Sequence, residues 1–245
     1  MQKICVNILY ADFGDTEDFN ENSVSSKTEY RRKNMKLNAS KTAIVLIEPQ
    51  NDFLSPGGTM YQYIKEQLAK RNVIGNLQKL LDGARKKKVK IFYVPFHPFE
   101  KGFPELKKEG PACAGLRGIE MDMKADWGTG AWLKGTPGPE IITELTPKKG
   151  DIVVEGKKTL DAFHSTALDY LLRANEIEHV AFTGFHTNWC VESSARSAFD
   201  KGYRVIMIGD CTGTDTDVEQ NYAETYIFPK IGKVMSADEF LGSIG

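Results

Sequence analysis

Cys190 is the residue around which chemistry can be built. It stands in Gly184-Phe185-His186-Thr187-Asn188-Trp189-Cys190-Val191, after an apolar run that ends at Gly184. Val191, Ser194, Ala195, Ala198 and Phe199 then follow at helical spacing. The sulfur therefore falls where a strand hands over to a helix. Unpaired N–H groups and the positive dipole end at such a place favour an anion. The expectation is a thiol of lowered pKa, hence a nucleophile. Backbone N–H groups of the same turn would supply an oxyanion hole.

Two further side chains have the right types to serve it. Glu48 ends the apolar run 43–47, and Lys157 follows the run 151–154. A thiolate attacks an electrophilic carbon, while a carboxylate takes and returns the proton. An ammonium beside them holds the carboxylate and raises the thiolate fraction. Lys158 adjoins Lys157 and has the same chemistry, but the spacing to Ala162-Phe163 favours Lys157.

These groups need elements that bring them to one rim. Residues 43–47, 90–94, 151–154, 179–183, 204–208 and 233–235 read as strands, and most are continuous apolar runs of the kind buried on both faces. Helices are expected over 69–88, from a cap at Ser165 through Leu168, Leu171 and Leu172, from Cys190 to Gly202, over 216–227, and from the capping box Ser236–Glu239. This alternation predicts an α/β fold with a mostly parallel sheet covered on both faces. Ligands in such folds collect beyond the C-terminal strand ends, where all three groups fall. Residues 1–40 read as a poorly ordered N-terminal extension and 41–245 as the catalytic domain, with Met35 a candidate start. The segment 95–139, rich in Gly, Pro and aromatic residues, reads as a lid that sets specificity.

Bulk properties narrow the class. A net charge of −1 gives no electrostatic case for nucleic acid or an anionic membrane, and no apolar run is long enough to span a bilayer. The four cysteines form no CxxC pair, which favours reduced thiols in a cytoplasm.

Three motifs in order carry a resemblance: 43–58 (AIVLIEPQNDFLSPGG), 157–163 (KKTLDAF) and 183–197 (TGFHTNWCVESSARS). Over roughly residues 40 to 245 the chain resembles the isochorismatase-like cysteine hydrolases, which include nicotinamidases and ureido-group amidohydrolases. The resemblance implies a three-layer α/β/α, Rossmann-like fold and a cofactor-free hydrolase of small amide or ureido C–N bonds acting through a thioester. It implies Cys190 as nucleophile, Glu48 as acid and base, and Lys157 as the ammonium. It also implies a cis peptide at Phe185-His186, with the N–H groups of His186 and Cys190 as oxyanion donors, and a homodimer or homotetramer. Glu48 departs from the aspartate usual in the family, and its extra methylene moves the carboxylate outward by about one bond length.

Phe53, His97, Trp127, Trp132 and Trp189 are the candidate pocket residues. Some relatives bind a divalent ion through an Asp-x-His pair, which this chain lacks, so no metal is expected. Two rival readings are a C–O hydrolase of the isochorismatase type and a small-ligand-binding relative without turnover. Cys190 speaks against the first, and the Glu48 replacement is what admits the second.

Overall fold

The computed structural model describes residues 36–101, 104 and 132–245. Six strands form one sheet: β1 (Thr42–Ile47), β2 (Lys90–Val94), β3 (Ile152–Val153), β4 (His179–Phe185), β5 (Arg204–Gly213) and β6 (Gly232–Met235). Their order is β3-β2-β1-β4-β5-β6, with every neighbouring pair parallel. All six residues of β1 are buried, as a central strand covered on both faces requires. Ala43, Val45 and Ile47 belong to a core shared with Leu168, Leu172, Ala195 and Ala198. Those residues lie on helices α4 (Leu168–Ala174) and α5 (Glu192–Asp200). Strand alternation turns Ile44 and Leu46, also fully buried, to the other layer.

Helices α1 (Asn51–Leu54), α2 (Tyr61–Lys70) and α3 (Val73–Lys86) join β1 to β2. The helix expected over 69–88 corresponds to α3, which begins at Val73, while residues 69–70 end a separate helix, α2. The chain turns at Asn72, which has φ 50, a left-handed conformation that asparagine tolerates better than most residues. Asn76 Nδ2 then ties the turn to the carbonyls of Arg71 and Asp210. Ser165 does not cap α4 either. It is exposed with φ 60, and the hydroxyl of Thr166 instead accepts from the N–H of Leu168.

The end of the chain follows its signals more closely. Thr216 and Glu219 form a capping box on α6 (Asp217–Tyr222), which continues through a π-turn (Ala223–Ile227) into α7 (Phe228–Ile231). Ser236 and Glu239 form another on α8 (Ala237–Ser243). Leu37 bridges to Ile244, so residues just before position 41 also pack into the fold. The expectation for the extension concerns mainly residues before 36, which lie outside the described ones.

Candidate active site

The order of strands reverses between β1 and β4, and such a point opens a crevice beyond the strand ends. Glu48 follows β1 there, and Cys190 follows β4. Gly184 lets these two strands close up, because a Cβ at this position would collide with the Ile47 carbonyl. The Phe185–His186 peptide is cis, and a π-turn (Thr187–Val191) carries Cys190 into α5. Ser194 bolts that turn to the loop bearing Lys157: its hydroxyl donates to the Cys190 carbonyl (2.6 Å) and accepts from the Ala162 N–H (2.9 Å).

Glu48 has φ 52, and its N–H donates to the Val94 carbonyl at 3.2 Å. Its Oε1 accepts from Lys157 Nζ, and its Oε2 is buried with no hydrogen-bond partner. Both side chains of the pair are fully enclosed. Lys157 Nζ also lies 5.3 Å from the centre of the Phe96 ring, and its carbonyl accepts from the His97 N–H (2.6 Å). Burial disfavours the ammonium, yet the adjacent Cys190 sulfur and Glu48 carboxylate outweigh burial and hold its pKa above the ordinary range. Lys158 is elsewhere, over the ring of Phe99 at 4.4 Å.

Cys190 is buried against both groups, and the N–H of His186 is directed at its sulfur. Burial and the Glu48 charge push the thiol pKa well up, while Lys157 and the His186 N–H pull it back only in part. This overturns the expectation of a lowered pKa. The sulfur is enclosed beside a carboxylate, and desolvation disfavours the anion more than a turn of backbone dipoles favours it.

An aromatic wall surrounds the three groups. Phe96 packs on Trp132 (5.0 Å between centroids), Trp132 on Phe53 (5.6 Å), Phe53 on His186 (5.3 Å) and His186 on Trp189 (5.5 Å). Trp132 is fixed by its backbone N–H, which donates to Asp52 Oδ2 at 2.8 Å. Of the expected pocket residues, Phe53, Trp132 and Trp189 share this wall. His97 contributes its backbone beside Lys157, and Trp127 lies outside the described residues.

Sequence reasoning missed Gln50 and Asp215. Gln50 Nε2 donates to the carbonyls of Phe96 and Pro139, and its Oε1 accepts from the Phe96 N–H (2.7 Å), locking the loops after β1 and β2 together. Asp215 follows β5, with Oδ1 3.3 Å from His186 Nδ1. The rule that ligands gather at strand ends was the signal that could have found it. Burial, then the charge of Glu219, raises the Asp215 pKa to about 6; burial lowers that of His186 to about 4. Among the described residues no group of three or more His, Cys, Asp or Glu could hold a metal ion.

Comparison with known proteins gives the family. Residues 42–239 match the isochorismatase domain. The chain belongs to the isochorismatase-like hydrolase family. Within that family it is 33% identical over 214 residues to the ureidoacrylate amidohydrolase RutB of Agrobacterium fabrum, covering 85% of this chain and 92% of that protein. It is 31% identical over 198 residues to RutB of Rhizobium rhizogenes, covering 78% of each. The crystal structure of a cysteine hydrolase from Pseudomonas syringae superposes with a TM-score of 0.69 at 24% identity, over 84% of this chain and 93% of that one, and shares the fold.

Proposed function

We propose that this isochorismatase-like hydrolase is a cysteine amidohydrolase that cleaves a small amide or ureido C–N bond through a thioester. The observation carrying this reading is the buried Lys157–Glu48 pair set against the Cys190 sulfur. Two relatives above 30% identity named as amidohydrolases support the bond type.

The sulfur rests as a thiol, so proton loss and attack are coupled. Glu48 accepts the Sγ proton as the sulfur bonds to the substrate carbonyl carbon. The N–H groups of His186 and Cys190 receive the oxyanion, each such donor contributing about 3–4 kcal/mol in comparable sites. Glu48 passes its proton to the nitrogen, the C–N bond breaks and the amine leaves. Glu48 next takes a proton from water, whose oxygen attacks the thioester. The C–S bond breaks, and the sulfur regains the proton. Lys157 holds the carboxylate in place and offsets negative charge throughout.

Cys190 and Cys211 are free thiols, which supports a reducing compartment such as the cytoplasm. Exposed Val218, Tyr222 and Tyr226 on one helical stretch support self-association into the expected homo-oligomer.

The test is ammonia release from a panel of small amides, carbamates and ureides, with Cys190→Ala as control. A substrate cleaved by the native protein and not by the variant, with acyl mass trapped on Cys190 at short times, supports the reading. Equal release by both proteins overturns it.

A further inference from the structure

The hydrolytic groups leave one constellation beside them unused. His186 is almost wholly buried, yet neither ring nitrogen has a hydrogen-bond partner, and Asp215 Oδ1 is likewise unpartnered. The two face each other, Nδ1 to Oδ1, at 3.3 Å without a formed hydrogen bond. Buried polar atoms of native proteins are nearly always satisfied, so the unpartnered Nδ1 and Oδ1 that face each other mark a place where a ligand supplies the missing partners.

The place is built. Thr214 donates to Asn188 Oδ1, Thr187 donates to Gln220 Oε1, and Asn188 donates to Glu219 Oε1, so the loop after β5 and helix α6 are laced to the π-turn of Cys190. His186 connects the two centres: its N–H addresses the Cys190 sulfur and its ring addresses Asp215. The Asp215 side chain is 35% exposed overall, while its Oδ1 is turned inward to the buried His186 ring. Glu219 adds negative charge at the same end. Lys157, by contrast, is engaged with Glu48 and is not free to neutralise a ligand anion.

We propose that Asp215 and His186 form the recognition subsite for the substrate end remote from the scissile carbonyl, and that this end carries N–H donors (a carboxamide, ureido or ammonium group) rather than a carboxylate. This rests on the amidohydrolase reading and narrows its substrate class. An N–H group donates to Asp215 Oδ1 and to the neutral His186 ring, whereas a carboxylate there meets like charge and loses its hydration.

The experiment measures binding and turnover separately with three probes of matched length: succinamide, 4-aminobutanamide and succinamate. Binding is titrated calorimetrically on Cys190→Ser protein, with and without Asp215→Asn. Succinamide and 4-aminobutanamide are expected to bind about tenfold or more tighter than succinamate, and Asp215→Asn to narrow that ratio to about threefold or less. Succinamate binding as well as the other two, no saturable binding by any probe, or a ratio untouched in folded Asp215→Asn overturns the subsite. If that variant does not fold, the ratio on the Cys190→Ser protein alone decides. Ammonia release by the native protein then reports on the hydrolase reading: the expected binding order without turnover leaves the subsite standing and removes the reaction, whereas turnover with the reverse order does the opposite.

Discussion

The ammonium of Lys157 and the carboxylate of Glu48, 109 residues apart in the chain, meet in a pair from which solvent is fully excluded. Removing one member strands the other. Lys157→Met is expected to cost about 3–5 kcal/mol of stability and to abolish turnover. The double variant Lys157→Met/Glu48→Gln should recover much of that stability while staying inactive. Urea denaturation of the four proteins measures the coupling; a single variant as stable as the native protein would contradict the pairing.

Restoring the family's usual residue tests the reach of the acid. Glu48→Asp shortens the arm while the backbone stays at φ 52, bound to the Val94 carbonyl. The carboxylate then draws away from both Lys157 and the sulfur, by roughly the 1 Å that can cost about a hundredfold in rate. Steady-state kinetics should show the loss in kcat with KM little changed. An unchanged kcat would mean that Glu48 does not carry the proton.

Labelling kinetics report the resting state of the sulfur. Burial and Glu48 hold Cys190 as a thiol, so iodoacetamide should alkylate it at neutral pH more slowly than a free cysteine. The rate should climb about tenfold per pH unit well past the ordinary cysteine range. Cys211 is buried and pushed up as well, so Cys190→Ala supplies the background. Rapid neutral alkylation with an early plateau would show a resting thiolate instead.

The pH dependence of stability contains two opposed contributions. His186 has its pKa lowered from 6.5 to about 4, so the unfolded chain binds the extra proton and stability falls as pH drops through that window. Asp215 has its pKa raised from 3.8 to about 6, so the folded chain binds the proton more tightly and stability rises over nearly the same window. Asp215→Asn deletes the second and also removes the carboxylate that faces His186, which acts in the same direction. Its melting temperature should fall more between pH 6 and pH 4 than that of the native protein, by a few degrees once partial exposure of Asp215 is allowed for. Parallel curves would sink the assignment.

The strands were legible because apolar runs such as 43–47 admit few other uses. So was the capping box at Ser236, whose signal is local. The turn at Asn72 was not, because α2 and α3 share an unbroken polar and apolar pattern, and only a left-handed asparagine divides them. The three polar groups could be named from their motifs and strand ends. The ionisation of Cys190 could not, since it depends on how closely Glu48 and the core enclose the sulfur, and neighbours in sequence do not set that. Asp215 escaped for a related reason: its partner, His186, lies on a different strand's loop.

The N–H of Phe99 donates to the Trp132 carbonyl (2.7 Å), and the N–H of Lys134 donates back to the Phe99 carbonyl (2.9 Å). These two bonds fasten Phe99 to the Trp132–Lys134 stretch, beside the wall that contains Trp132 and Phe96. Once two points of a chain are fastened together, closure entropy grows only slowly with the number of residues between them. Insertions or deletions between positions 99 and 132 are therefore cheap for the rest of the fold, and Glu48, Lys157 and Cys190 can keep their places while that length changes.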